Sequence, residues 1–179
     1  MGLVEALLRR CRAGDEEALE ELIRRWERKL FYYVRRLVAD EADAWDVLQQ
    51  TWIRVVRGIG KVKDSEKLAA WLYCVARSAA LSHRKSLLGR ESKMDREAPI
   101  EELTAAPIRE VQWSAEEVHW AIDKLSVHHR EALTLFFLEN FSIAEMAEVV
   151  GVSEGTVKSR LFYAKQSLRE VLEKSGSRL

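Results

Sequence analysis

The sequence predicts an all-α protein: two small helical domains joined by a flexible acidic linker, the C-terminal one containing a helix-turn-helix. Three observations carry this reading. Apolar residues recur at steps of three and four along most of the chain, and the alternation of a half-buried strand is not seen. Both prolines, Pro99 and Pro107, fall in one polar stretch, so neither domain holds a proline to break a helix from within. A hydrophobic content of 47% is that of a globular chain able to bury a core.

Taken in order, Leu3, Leu7 and Leu8 start a first helix, which a turn at Gly14 and Asp15 closes. Leu19, Leu22, Ile23, Trp26, Leu30, Val34 and Leu37 then draw one long apolar stripe. A third helix is expected over about residues 41 to 57, burying Ala44, Val47, Leu48 and Val55. Gly58 and Gly60 end it and open the loop GIGKVKDSE, before a fourth helix over about residues 66 to 86. The stretch from Gly89 to Ser114 has no sustained amphipathic period and an excess of acid, which predicts extended or weakly ordered backbone. Helices over residues 115 to 125 and 127 to 139 follow. The expected division is a domain over 1–88, a linker over 89–114 and a domain over 115–179.

Asn140 to Lys165, NFSIAEMAEVVGVSEGTVKSRLFYAK, spells a helix-turn-helix with its caps marked. Ser142 can cap a short helix, with Glu145 completing a capping box and Ile143, Met146, Ala147 and Val150 facing inward. Gly151 supplies the left-handed residue of a tight turn, after which Val152 can tuck into the small core. Ser153 caps a second helix whose stripe is Val157, Leu161, Ala164 and Leu168. Its other face carries Glu154, Thr156, Lys158, Ser159, Arg160, Phe162, Tyr163 and Lys165 near the end that enters a DNA major groove in such motifs. A helical hairpin with a solvated charged face is the plainer alternative.

The formal net charge of zero argues at first against nucleic acid, but it conceals a pattern. Residues 1 to 88 hold 17 basic and 13 acidic groups, residues 89 to 118 hold 4 and 8, and residues 119 to 179 hold 8 of each. A local basic face can therefore still bind phosphate. In the third helix Asp43, Asp46, Gln49, Gln50 and Arg54 form a polar arc bordered by Trp45, Trp52 and Ile53, the makeup of a protein-binding anchor as well as of a solvated surface. Lys61, Lys63 and Lys67 approach Trp71 and Tyr73, with Arg77, His83, Arg84 and Lys85 following. Cations interleaved with aromatics suit single-stranded DNA, although Trp71, Leu72, Val75 and Ala79 also lie at core spacing.

Catalysis finds little support. His128 and His129 are adjacent, which does not set two imidazoles on one helix face, and no carboxylate or cysteine cluster completes a metal site. No glycine-rich phosphate loop and no nucleophile with its base can be read, so no enzyme activity and no cofactor is expected. Cys11 and Cys74 read as small buried or semi-buried hydrophobes. No run of about 18 apolar residues exists to insert into a membrane, and the N-terminus lacks a secretory pattern, so a cytoplasmic location is expected.

Together these residues resemble the small extracytoplasmic-function (ECF) group of bacterial RNA polymerase sigma factors, in the sigma-70 family, over nearly the whole chain. ADAWDVLQQTWIRVVRG resembles the segment that docks on the clamp helices of the largest polymerase subunit, commonly A-E-D-L-V-Q-E-T-F. WLYCVARSAALSHRKS resembles the helix that handles the -10 promoter element, and the chain from His129 to Leu172 resembles the -35 binding region.

The resemblance implies a promoter-specificity subunit that binds polymerase core and opens promoter DNA. It implies core binding through Asp46, Gln49, Gln50, Ile53 and Arg54, and -10 capture through Lys61, Lys63, Trp71, Arg77, Ser78, Arg84 and Lys85. For the -35 element it implies Ser153, Thr156, Lys158, Ser159, Arg160, Phe162, Tyr163 and Lys165. The implied partners are promoter DNA, the polymerase clamp, the flap of the second largest subunit and an anti-sigma factor. Trp45 and Gln50 stand where the family usually has acids, Ser78 and Ser82 where asparagine and aspartate are common, and Tyr163 where arginine is frequent. The rival from another class is a stand-alone helix-turn-helix regulator that never binds polymerase.

Overall fold

The computed structural model describes residues 2–87 and 113–176; the linker expected over 89–114 lies, apart from its last two residues, outside them. Among the described residues there are helices and turns and no strand. The first half holds α1 (Leu3–Arg12), α2 (Glu16–Leu37), α3 (Glu41–Gly58), a 3₁₀ turn (Ile59–Lys61) and α4 (Leu68–Leu87). The second holds α5 (Ala115–Asp123), α6 (Val127–Leu133), a π-helical turn (Thr134–Leu138), α7 (Ile143–Val150) and α8 (Glu154–Gly176).

The helix starts follow from short side chains that satisfy otherwise orphaned N–H groups. Asp15 accepts from the Ala18 N–H at 3.0 Å and from Arg10 Nε at 2.7 Å, so one carboxylate caps α2 and fixes the corner with α1. The Arg10 bond first, then the Ala18 N–H, hold that carboxyl below its usual range. Asp40 caps α3. Ser114 with Glu117, and Ser142 with Glu145, form two full capping boxes. Gly151 ends α7 at φ 73°, in the left-handed conformation the sequence calls for there.

The second half departs from its expected outline in one place. In place of a single α-helix over residues 127 to 139, α6 widens after Leu133, and the Glu139 N–H reaches back five residues to the Thr134 carbonyl at 3.2 Å. Asn140 follows at φ 56°, a region asparagine tolerates better than most residues, and Phe141 turns inward. The widened turn leaves Phe137 and Leu138 exposed while Leu135 is fully buried.

One hydrophobic core runs through both halves. Leu22, Leu30, Tyr33, Val34, Leu48, Leu72 and Tyr73 from the first half belong to the same buried cluster as Leu135, Phe141, Met146 and Val149 from the second. Each fully buried side chain of this size contributes about 1.5 to 3 kcal/mol relative to exposure. Tyr73 is central, with ring centroids 4.9 Å from Tyr33, 5.0 Å from Phe141 and 6.4 Å from Trp26, all edge to face. A smaller cluster of Ile122, Leu125, Leu133 and Ala164 holds α5, α6 and α8 together. Polar bonds rim the junction: Tyr33 Oη donates to Glu131 Oε1 at 2.7 Å, Arg77 Nε to the same oxygen at 2.8 Å, and Arg36 pairs with Asp123. The two expected helical units are thus packed directly against one another.

Candidate protein and nucleic-acid interfaces

The polar arc of α3 borders a groove of about 660 Å³ between α2 and α3, lined by Ile23, Glu27, Trp45, Asp46, Leu48, Gln49, Trp52, Ile53, Val56 and Arg57. The α3 helix packs Ala44, Val47, Leu48, Thr51 and Val55 inward, which leaves Trp45, Ile53 and Val56 half-exposed on the outer side. Trp45 is 49% exposed and braced by Phe31, ring centroids 4.3 Å apart, so a large aromatic is held outward in a fixed pose. Of the five residues expected to bind core, Asp46, Gln49 and Ile53 line this groove and Gln50 is exposed beside it. Arg54 turns away, donating from Nη1 to Ser78 Oγ on α4 at 3.2 Å. Glu27, Val56 and Arg57 were not legible as groove residues. The spacing of Trp45, Ile53 and Val56 on one helix face was the available signal.

The second set lies on the 3₁₀ turn and α4. Lys61 and Lys63 are exposed on the loop, and Lys85 is exposed near the end of α4, with Arg84 half-buried. Trp71 is partly buried and packed on the core; its ring lies over Gly58, where an added Cβ would meet Cζ2 at 2.9 Å. The core-spacing reading of Trp71 therefore describes its body. Ser78 is exposed and bonded to Arg54, Ser82 Oγ donates to the Ser78 carbonyl at 2.8 Å, and His83 Nε2 lies 2.8 Å from Asp43 Oδ1, tying α4 to α3. Arg77 is the exception in this set, because its guanidinium is held by Glu131 of the second half. A cleft of about 300 Å³ lined by Cys74, Arg77, Ser78, Leu81, Ser82, Lys85 and Val149 marks where α7 meets this face.

In the helix-turn-helix, Ser153 Oγ accepts from the Thr156 N–H at 3.2 Å and lies 2.9 Å from Thr156 Oγ1. Ser159 donates to the Gly155 carbonyl. Val157, Leu161 and Ala164 are buried, so Lys158 and Phe162 stand outward and Thr156, Ser159, Arg160 and Tyr163 lie at the margin. Phe162 and Tyr163 meet edge to face at 5.3 Å. Lys165 Nζ sits 5.2 Å from the ring centres of both Phe136 and Phe137, which sets it over the domain's own aromatic edge, about three turns along the helix from its start at Glu154. His129, in the first turn of α6, is held below its ordinary value by burial, then by His128 and Arg160.

Among the described residues no three His, Cys, Asp or Glu side chains gather as a metal site, and no helix is long and apolar enough to cross a membrane.

Comparison with known proteins matches the two halves of the chain to two family models. Residues 22–88 match the model for Sigma-70 region 2, and residues 115–168 match that for Sigma-70, region 4. The chain is 32% identical over 161 residues to the ECF RNA polymerase sigma factor SigM of Mycobacterium tuberculosis, covering 89% of this chain and 80% of that one. It is 33% identical to SigL of the same species, covering 82% and 84%. Among solved structures, the sigma factor RpoE in complex with the anti-sigma factor NepR from Bartonella quintana matches at TM-score 0.66 and 25% identity, over 86% of this chain and 96% of that one. CnrH, solved with the cytosolic domain of CnrY, shares the fold at TM-score 0.67 and 20% identity, over 95% and 97%. With both sigma-70 regions present in order and relatives aligned over most of their length, the chain belongs to the ECF sigma factors of the sigma-70 family, the promoter-specificity subunits of RNA polymerase.

Proposed function

We propose that this sigma subunit divides its work between the two halves along the surfaces described above. Residues 1–88 bind polymerase core and the opened -10 element, 89–114 link, and 115–179 read the -35 duplex. The α2/α3 groove takes an element of the polymerase clamp, with Trp45 and Ile53 as apolar anchors and Asp46, Gln49 and Gln50 as hydrogen-bonding partners on the rim. Trp45 and Gln50, standing where acids are usual, make this contact less ionic and so less sensitive to salt.

Lys61, Lys63, Arg84 and Lys85 follow the phosphates of the displaced strand, and Arg77 and Ser78 join them once the second half moves off α4. In the -35 reader, the capped N-terminus of α8 offers free N–H groups to a phosphate, while Lys158, Ser159, Arg160, Phe162 and Tyr163 face the groove. The protein performs no chemistry of its own; it positions DNA for an enzyme that does. It works in the cytoplasm, where that enzyme is, and it binds an anti-sigma protein, as does the RpoE relative solved in complex with the anti-sigma factor NepR.

The observation that supports this reading best is the pairing, on one chain, of a braced aromatic groove with a fully capped helix-turn-helix. Purified protein and polymerase core are expected to co-elute and to give discrete transcripts whose start sites share upstream -10 and -35 sequences. No binding to core at micromolar concentration, with duplex DNA bound by a free dimer, would establish the stand-alone regulator in its place.

A further inference from the structure

We propose that Glu131 is a built-in competitor for the -10 DNA, closing the second half over α4 by occupying the guanidinium that a promoter phosphate would take; this rests on the assignment of Arg77 to the -10 surface. Glu131 lies on α6 and is 2% exposed. It reaches across the junction to Arg77 Nε at 2.8 Å and Tyr33 Oη at 2.7 Å, partners 54 and 98 residues away in sequence.

A buried carboxylate is tolerated only while it is paired and hydrogen-bonded, and here Arg77 and Tyr33 supply its bonds. The same closure brings Phe141 onto Tyr73, sets the Glu148 carbonyl 3.6 Å from Cys74 Sγ, and places Val149 against the cleft that Arg77 and Ser78 line. Arg77 then retains little open surface, its side chain being 18% exposed.

Two consequences follow from one carboxylate. While the chain is closed, DNA cannot approach Arg77 without displacing α7. If a phosphate does capture Arg77, Glu131 is left buried without its cation, and the closed form loses the pair that made it tolerable. Opening and DNA capture therefore favour each other, and by linkage each promotes the other to the same extent. Tyr33 does not substitute for Arg77, since burial, then the neighbouring Glu131, keeps its phenol protonated and so without charge.

The two native cysteines report closure without any knowledge of the promoter. Cys74 sits at the junction, whereas Cys11 is 2% exposed inside the first half and serves as a control for global unfolding. The full-length protein, Glu131→Gln and Tyr33→Phe are compared by the rate of N-ethylmaleimide addition at each cysteine, read by mass spectrometry. Binding of a fluorescent mixed-sequence single-stranded DNA 20-mer is read by anisotropy. Glu131→Gln keeps the side chain's size and removes its charge. It is expected to speed Cys74 labelling and tighten DNA binding by about tenfold, the scale of a weakened charge-assisted bond, with Cys11 silent.

Tyr33→Phe, which removes only the hydroxyl, should move both readouts in the same direction by a smaller factor. Equal Cys74 rates in all three proteins overturn the clasp. Faster labelling with unchanged DNA affinity overturns the competition. Failure of the sigma-subunit reading appears separately, as absence of core co-elution by the wild-type protein, and removes the ground for assigning Arg77 to DNA.

Discussion

Gly58→Ala offers a test in which the sign of the effect is set by one contact. Gly58 closes α3 at φ −107°, a backbone any residue adopts, so conformation alone favours alanine by about 0.5 to 1 kcal/mol. Space opposes it. A Cβ there would lie 2.9 Å from Trp71 Cζ2, closer than carbon atoms pack, and in ordinary contact with Cη2 at 3.5 Å, and the ring it meets is held against the core by its neighbours. Overpacking of this kind costs about 1 to 3 kcal/mol. The net expectation is a destabilisation of about 1 kcal/mol, or a fall in Tm of about 2 to 4 °C for a chain of this size. The diagnostic step is Trp71→Phe, which removes the two ring atoms in the way. In that background Gly58→Ala should become neutral or stabilising, a coupling of about 1 to 3 kcal/mol in the double-mutant cycle. Urea unfolding followed by far-ultraviolet circular dichroism measures all four proteins. A stabilising Gly58→Ala in the wild-type background, or additive effects, would show that Trp71 does not sit where the packing argument needs it.

Three further outcomes are expected. Trp45→Ala should weaken core binding by about 2 kcal/mol or more while changing Tm little, because the ring is half-exposed and braced by Phe31; titration of labelled protein with core measures the first and thermal unfolding the second. Lys158→Ala should weaken -35 DNA binding: by about 1 to 3 kcal/mol with relaxed sequence preference if it reads a base, or uniformly with a salt slope lower by about 1 if it touches phosphate. An unchanged affinity and slope would remove it from the interface. Because the fold holds His129 below its ordinary value, the unfolded chain takes up the proton first as pH falls through about 6.5. Stability should be full above that pH and decline below it until the folded imidazole is also protonated. His129→Gln should flatten this part of the Tm profile, and an unaltered profile would assign the acid sensitivity elsewhere.

What was legible in the sequence was what a few neighbouring residues decide. The capping box of Ser142 and Glu145, the left-handed Gly151 and the stripe from Val157 to Ala164 each depend on contacts within one or two turns, and each is found as read. Residues whose partners are distant were read differently. Arg77 reads as a free cation among others, and nothing near it in sequence announces Glu131, the single acid in the segment HREALTLFFL. Arg54 seemed to continue the polar arc of α3, yet its long side chain reaches Ser78 on the next helix. The widened turn after Leu133 was also hidden, because TLFFL has the composition of an ordinary buried helix and only the Thr134–Glu139 bond reveals the extra residue. Trp71 satisfied two patterns at once, and spacing alone could not rank core against surface. Its ring packs over Gly58 and is still only partly buried.

The interior shared between the halves has a consequence for the order in which the chain is made. Translation delivers α1 to α4 first, with Tyr73 and Leu72 formed but Phe141, Met146 and Leu135 not yet synthesised. At ordinary elongation rates the remaining half takes about 5 to 20 s to emerge, long compared with the folding of a small helical unit. For that interval the nascent protein offers the ribosome's surroundings an apolar flank and, in Arg77, a cation whose acidic mate does not yet exist. A chaperone or an early-binding partner would meet the N-terminal half in a shape the finished molecule conceals.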